Sequence, residues 1–117
     1  MRKVNLDEKF RLLTDTWNPK IVAELDDSYV KVARLKGEYE WHTHAAEDEM
    51  FLVRNGHLTI RMRGGEVRLG PGELFVVPRG TEHMPVAEHD VDVVVIERKT
   101  TVREGGPRDP SLRDEWI

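Results

Sequence analysis

The sequence has no cysteine. That excludes a disulfide framework, a thiolate metal site and a cysteine nucleophile, and it suits a reducing compartment, so a cytoplasmic setting is the expectation. No apolar run is long enough to cross a membrane as a helix. Asp7 and Glu8 stand where a secretory signal would carry its apolar stretch. Clustered basic charge is missing as well: 18 lysines and arginines are interspersed among 22 acids, for a net charge of -4. A nucleic-acid footprint is therefore not expected. The chain also lacks a Ser-His-Asp order, a phosphate loop and a dinucleotide fingerprint.

What is present fits one domain. The 117 residues suffice to bury a core without a structural metal. Asn5 to Leu13 reads as a short helix, with Asn5 as N-cap, acids in the first turn and Leu6, Phe10 and Leu13 on one stripe. From Ile21 short apolar runs recur between turn residues, the pattern of an all-β sandwich or barrel. The runs are Ile21–Leu25, Tyr29–Leu35, Tyr39–His44, Glu49–Val53, Leu58–Met62, Glu66–Leu69, Leu74–Pro78, His83–Val86 and Val91–Glu97. Asn55-Gly56 and Gly64-Gly65 read as tight hairpins, and His89-Asp90 as a turn. The division expected is a lead-in over 1–20, a barrel over 21–99 and an extended tail over 100–117. Leu112, Trp116 and Ile117 suggest that the tail docks on the barrel or on a partner subunit.

One constellation carries chemistry. His42 and His44 are two residues apart, which on a strand places both side chains on one face. Glu49 opens the next strand, and His83 follows Pro78-Arg79-Gly80. Imidazole nitrogens with one carboxylate suit a divalent transition metal (Fe, Mn, Ni, Zn, Co or Cu) and leave positions for water or substrate. The histidine spacing taken alone fits a solvated charged loop equally well.

The glycines and prolines around these residues add to it. The stretch from Gly37 through His42, Thr43, His44 and Glu49 to Gly56 resembles the first motif of the cupin family. The stretch from Gly72 through Pro78-Arg79-Gly80 to His83 resembles the second, and Pro85 fits a common form of it. The resemblance covers about residues 30 to 97, and the short link from Gly56 to Gly72 is similar to that of compact single-domain microbial cupins of the conserved-barrel type. It implies an all-β fold, a double-stranded β-helix (jelly-roll) barrel, here with a short N-terminal helix. It also implies metal ligands at His42, His44, Glu49 and His83. Two departures stand out: four residues separate Gly37 from His42 where the motif has five, and Ala87 stands where an asparagine is frequent. The family spacing allows Asp48 or Glu49 as the acid. Glu49 is preferred because it shares strand parity with Phe51 and Val53.

Glu40 shares parity with His42 and His44 and is the candidate catalytic base; an exposed strand-edge acid is the alternative. Arg61 is a candidate for an anionic substrate, with a solvent-facing arginine as the alternative. His57 and His89 read as surface histidines, and Trp17 and Trp41 as packing or dimer contacts. The resemblance implies a metal-dependent enzyme, a dioxygenase, isomerase or lyase, acting on a small oxygenated metabolite. A non-enzymatic small-molecule-binding or structural cupin is the alternative, since a fold does not select among chemistries. A homodimer is expected, through outward apolar residues on Tyr29–Leu35 and Val91–Ile96.

Overall fold

The computed structural model describes residues 2–102 and 114–117. One short helix, α1 (Leu6–Arg11), precedes eight strands: β1 (Lys20–Leu25), β2 (Ser28–Glu38), β3 (Glu49–Asn55), β4 (Leu58–Met62), β5 (Gly65–Leu69), β6 (Leu74–Val77), β7 (His83–Arg98) and β8 (Glu115–Trp116). The fold is the expected jelly-roll β-barrel.

Strand β7 organises the barrel. Its first residues pair with β4, from Met62↔His83 to Thr59↔Val86. Its last residues pair with β3, from Asn55↔Asp92 to Glu49↔Glu97. Strand β2 runs antiparallel along its other edge, from Ser28↔Arg98 to Glu38↔Val86. The two runs His83–Val86 and Val91–Glu97 are therefore one continuous strand, and His89-Asp90 lies inside it rather than in a turn. A 16-residue strand that changes neighbours halfway carries the chain from one layer to the other.

Strands β3 and β4 thus follow one another along the same edge of β7 and do not pair. Asn55-Gly56 is the crossing between them, not a hairpin turn. Gly56 adopts φ +91°, and a Cβ there would come within 2.7 Å of the Asp90 carbonyl oxygen and 3.1 Å of Val91 Cα. Both the left-handed backbone and the close approach require glycine. Gly56→Ala is expected to lower stability by about 1–3 kcal/mol. Urea denaturation reads this directly, and an unchanged midpoint would show that the crossing relaxes freely. The Gly64-Gly65 signal does mark a hairpin: β4 and β5 pair up to Met62↔Gly65, with Arg63-Gly64 as the loop. Asp26-Asp27 makes another, with Asp26 at φ 50° between Leu25↔Ser28.

The period of two along the strands sorts side chains into two apolar clusters. Ala33, Leu35, Phe51, Val53, Leu58, Ile60, Val91, Val93 and Val95 fill the barrel. Val32 and Val94 face outwards, where Phe10 and Leu13 cover them, with Val30, Leu52, Ile96 and Ile117 at the margin. Val30, Val32, Val94 and Ile96 belong to the runs the sequence offered for a dimer, and of these Val32 and Val94 are buried against this chain's own N-terminal segment. Asn5 Oδ1 accepts from Glu8 N at 3.1 Å and caps α1. The helix stops at Arg11, earlier than expected, and Arg34 satisfies carbonyls at its end, donating to Phe10 O and Leu13 O at 3.2 Å each.

Two further segments differ from expectation. Tyr39–His44 is not a strand; it makes only an isolated bridge, with His42 N donating to His83 O and His83 N to His42 O, both at 3.0 Å. At the C-terminus, Trp116 pairs in parallel with Ile21, Ile117 N donates to Ile21 O at 3.1 Å, and Lys9 Nζ donates to Ile117 O at 2.8 Å. This end of the tail docks on the chain's own barrel. Leu112 lies outside the described residues.

Candidate metal centre

The four residues picked from the sequence meet at one mouth of the barrel. His42 and His44 sit on the extended stretch between β2 and β3, Glu49 begins β3 and His83 begins β7. Each offers one ligand atom, and these atoms lie within 4.8 Å of one another. The backbone bridge between His42 and His83 holds their rings 4.3 Å apart. Gly80 N donates to His44 O at 2.8 Å, so the Pro78-Arg79-Gly80 turn braces the other histidine.

Backbone carbonyls set the imidazole orientation. His42 Nδ1 donates to Glu40 O at 2.8 Å and His83 Nδ1 donates to Thr81 O at 2.9 Å. This leaves Nε2 of each ring for the centre, the arrangement in which outer hydrogen bonds select the ligating nitrogen. His83 Nε2 is 3.3 Å and His44 Nε2 3.7 Å from Glu49 Oε1. Burial, together with the charges of His83 and His44, holds the His42 pKa below its ordinary value and favours the neutral ligating form. For His83, burial works the same way but is outweighed by the hydrogen bond with Glu49, and its pKa rises. Burial also opposes the charge of Glu49. Hydrogen bonds from His83 and Glu97 and the nearby His44 overcome that and hold the carboxyl well below the usual range, at about 2. The donor set of three imidazoles and one ionised carboxylate fits a divalent transition metal.

Asp48 points elsewhere. It is exposed, and its Oδ1 accepts from Arg79 N at 2.8 Å and from Arg79 Nε at 3.2 Å. Between the two acids, Glu49 is the one at the histidines. Glu40 contributes its carbonyl to His42, but its side chain is exposed and does not line the cavity, which corrects its assignment as an inward base. The strand parity behind that assignment fails because Glu40 lies beyond the end of β2. Arg61 is exposed and, with Arg63, lies over the Trp41 ring. His57 and His89 are exposed. Trp17 is buried, packs on Tyr39 at 5.0 Å, donates from Nε1 to Lys36 O at 2.7 Å and lines the cavity.

The cavity beside the cluster measures about 100 Å³. Phe51, Ala33, Leu35 and Val95 form its apolar wall, and three charged residues that the sequence reading missed complete it: Lys31, Glu97 and Asp114. Lys31 Nζ is 2.7 Å from both Glu97 Oε1 and Asp114 Oδ2, and all three side chains are at most 12% exposed. Glu97 stands opposite Glu49 in the β3–β7 register. Burial and the neighbouring Glu49 push the Glu97 carboxyl up to about 8, against the pull of Lys31. Burial lowers the Lys31 pKa, but Glu97 and Asp114 outweigh it and the net shift is upward. Strand parity was the available signal for two of these. Lys31 alternates with Ala33 and Leu35, and Glu97 with Val93 and Val95, so both fall on the inward face. Asp114 carried no local signal.

A jelly-roll barrel with three histidines and a glutamate gathered beside its cavity defines a recognisable class, the barrels of the double-stranded β-helix type. The chain belongs to the cupin domain family, whose Cupin_2 model matches residues 30–97. Among solved structures, a cupin-2 domain containing protein from Shewanella frigidimarina is 38% identical, with a TM-score of 0.81 over 82% of this chain and 94% of that one. Protein NMB1881 from Neisseria meningitidis is 26% identical, with a TM-score of 0.77 over 84% of this chain and 100% of that one. KdgF from Halomonas sp. is 29% identical, with a TM-score of 0.63 over 71% and 78%. The uncharacterized protein YdbB of Bacillus subtilis is 36% identical over 63 residues, which is 53% of this chain. The chain spans about half the length of that curated relative, 56%.

Proposed function

We propose that His42, His44, Glu49 and His83 hold one divalent transition metal and that the protein is a metal-dependent enzyme acting on a small oxygenated organic molecule. The observation that carries this is the convergence of four ligand atoms within 4.8 Å at the side of a small, mostly apolar cavity. Bound there, a divalent ion would supply Lewis-acid chemistry, suited to isomerisation or lysis next to a carbonyl, and a redox-active ion would also serve oxidation with dioxygen as the oxidant. The chain's own residues do the rest. Phe51, Leu35 and Val95 keep water from the body of the ligand. Tyr39, its ring 5.1 Å from that of His42, closes the side next to the histidines. Lys31 offers its ammonium to a ligand oxygen.

Elemental analysis of protein purified from its native host is expected to find roughly one transition-metal ion per chain. Protein that arrives metal-free and takes up no Co²⁺ on titration overturns the reading. The exposed side chain of Glu40 favours a second reading, binding without turnover, because it removes the expected base from the cavity. A ligand held by the metal-loaded protein with no product after long incubation would select it.

A further inference from the structure

Asp114 lies outside residues 30–97, the stretch that the family model matches, yet it lines the cavity of the metal centre. Its carboxylate is held by Lys31 at 2.7 Å. Lys31 in turn holds Glu97 at 2.7 Å, and Glu97 stands opposite Glu49 in the β3–β7 register. Immediately after Asp114 the chain enters β8, which pairs with β1 through Lys20↔Glu115 and Ile21↔Trp116. The docking of β8 therefore sets where Asp114 sits, and Asp114 sets part of the cavity's charge.

We propose that Asp114 is a positioning residue of the metal centre, acting through Lys31 and Glu97, so that docking of the C-terminal strand and binding of a divalent cation reinforce each other. The inference rests on the metal reading above. With β8 docked, the Asp114 carboxylate adds one negative charge to the cluster of Glu49, Glu97 and Lys31 and offsets part of the charge of a divalent ion. With β8 undocked, Asp114 leaves the cluster and the same ion brings one more uncompensated positive charge. The electrostatic cost of a buried cluster rises steeply with its net charge, so the docked form binds the cation more tightly. Lys31 has a second effect. Shared between two acids, it holds Glu97 between itself and Glu49; freed from Asp114, it draws Glu97 away. Coupling of two equilibria is reciprocal, so cation binding also tightens the docking of β8.

The experiment titrates the full metal-free chain, Asp114→Asn and Asp114→Glu with Co²⁺, and follows hydrogen exchange at the Ile117 amide with and without Co²⁺. Asp114→Asn is expected to weaken Co²⁺ binding about tenfold, and Asp114→Glu to restore most of it. In the parent chain, Co²⁺ is expected to slow exchange at Ile117, a readout that requires no variant to fold. Equal affinity of the parent and Asp114→Asn, with exchange at Ile117 unmoved by Co²⁺, overturns the coupling and leaves the metal centre standing. A parent chain that binds no Co²⁺ overturns both.

Discussion

His83→Ala is expected to weaken divalent-metal binding by more than about a hundredfold, because altering even an outer partner of a metal ligand costs 10–100-fold. Isothermal titration with Zn²⁺ measures it. His83 is 1% exposed, so no side chain from the surface can take its place. Its Nε2 is also the closest imidazole nitrogen to Glu49 among the described residues, at 3.3 Å, and without it the carboxylate loses a hydrogen bond as well as a fellow ligand. The fold should survive, since the bridge between positions 42 and 83 uses backbone atoms that alanine keeps. Asp48→Asn is the matching control. Asp48 is exposed and turned to Arg79, so its loss should leave Zn²⁺ affinity within about twofold. Parent-like binding by His83→Ala, or an equal loss in Asp48→Asn, would sink the assignment of ligands.

Lys31→Met is expected to destabilise the metal-free protein by about 3–5 kcal/mol, the range seen when one partner of a buried ion pair is removed. Methionine keeps most of the length of the stem, so lost packing contributes little. What remains is a pair of buried carboxyls, Glu97 and Asp114, with their shared cation gone. The cost comes from those uncompensated groups and is not the net worth of the ion pairs. Urea denaturation with an unchanged slope would report it cleanly. Combining Lys31→Met with Asp114→Asn should recover part of the loss, since one of the stranded charges is then removed. A deficit below about 1 kcal/mol in Lys31→Met would show that water or protons satisfy the acids without the lysine.

Much of the barrel could be read from short stretches of chain. The run Leu58–Met62 is β4 with the same ends, and Ile21–Leu25 falls one residue inside β1. The inward parity of Phe51 and Val53 put Glu49 rather than Asp48 on the face of the histidines, and Asp48 indeed turns to Arg79. The glycine and proline frame around the histidines marked the cupin family, whose model covers 30–97. Parity misled at Glu40 because the strand had already ended, and it was not pressed far enough at Lys31 and Glu97. On Tyr29–Leu35 and Val91–Ile96 the pattern of alternation shows that a face is apolar but not what covers it; Phe10 and Leu13 cover Val32 and Val94.

The sequence by itself determined the fold class, the alternation of inward and outward residues and the identity of four candidate ligands. Turn chemistry and side-chain parity act over a few residues, and the ligand motifs are compact in the chain. Only the tertiary structure decided that β3 and β4 share one edge of β7 and that Gly56 must pass against Asp90. It alone brought Asp114 to Lys31 across 83 positions and placed this residue, just before the C-terminal strand, in the wall of the cavity. Strand pairing of this kind depends on backbone hydrogen bonds and burial between distant segments. No local pattern records which distant segment a strand edge will meet.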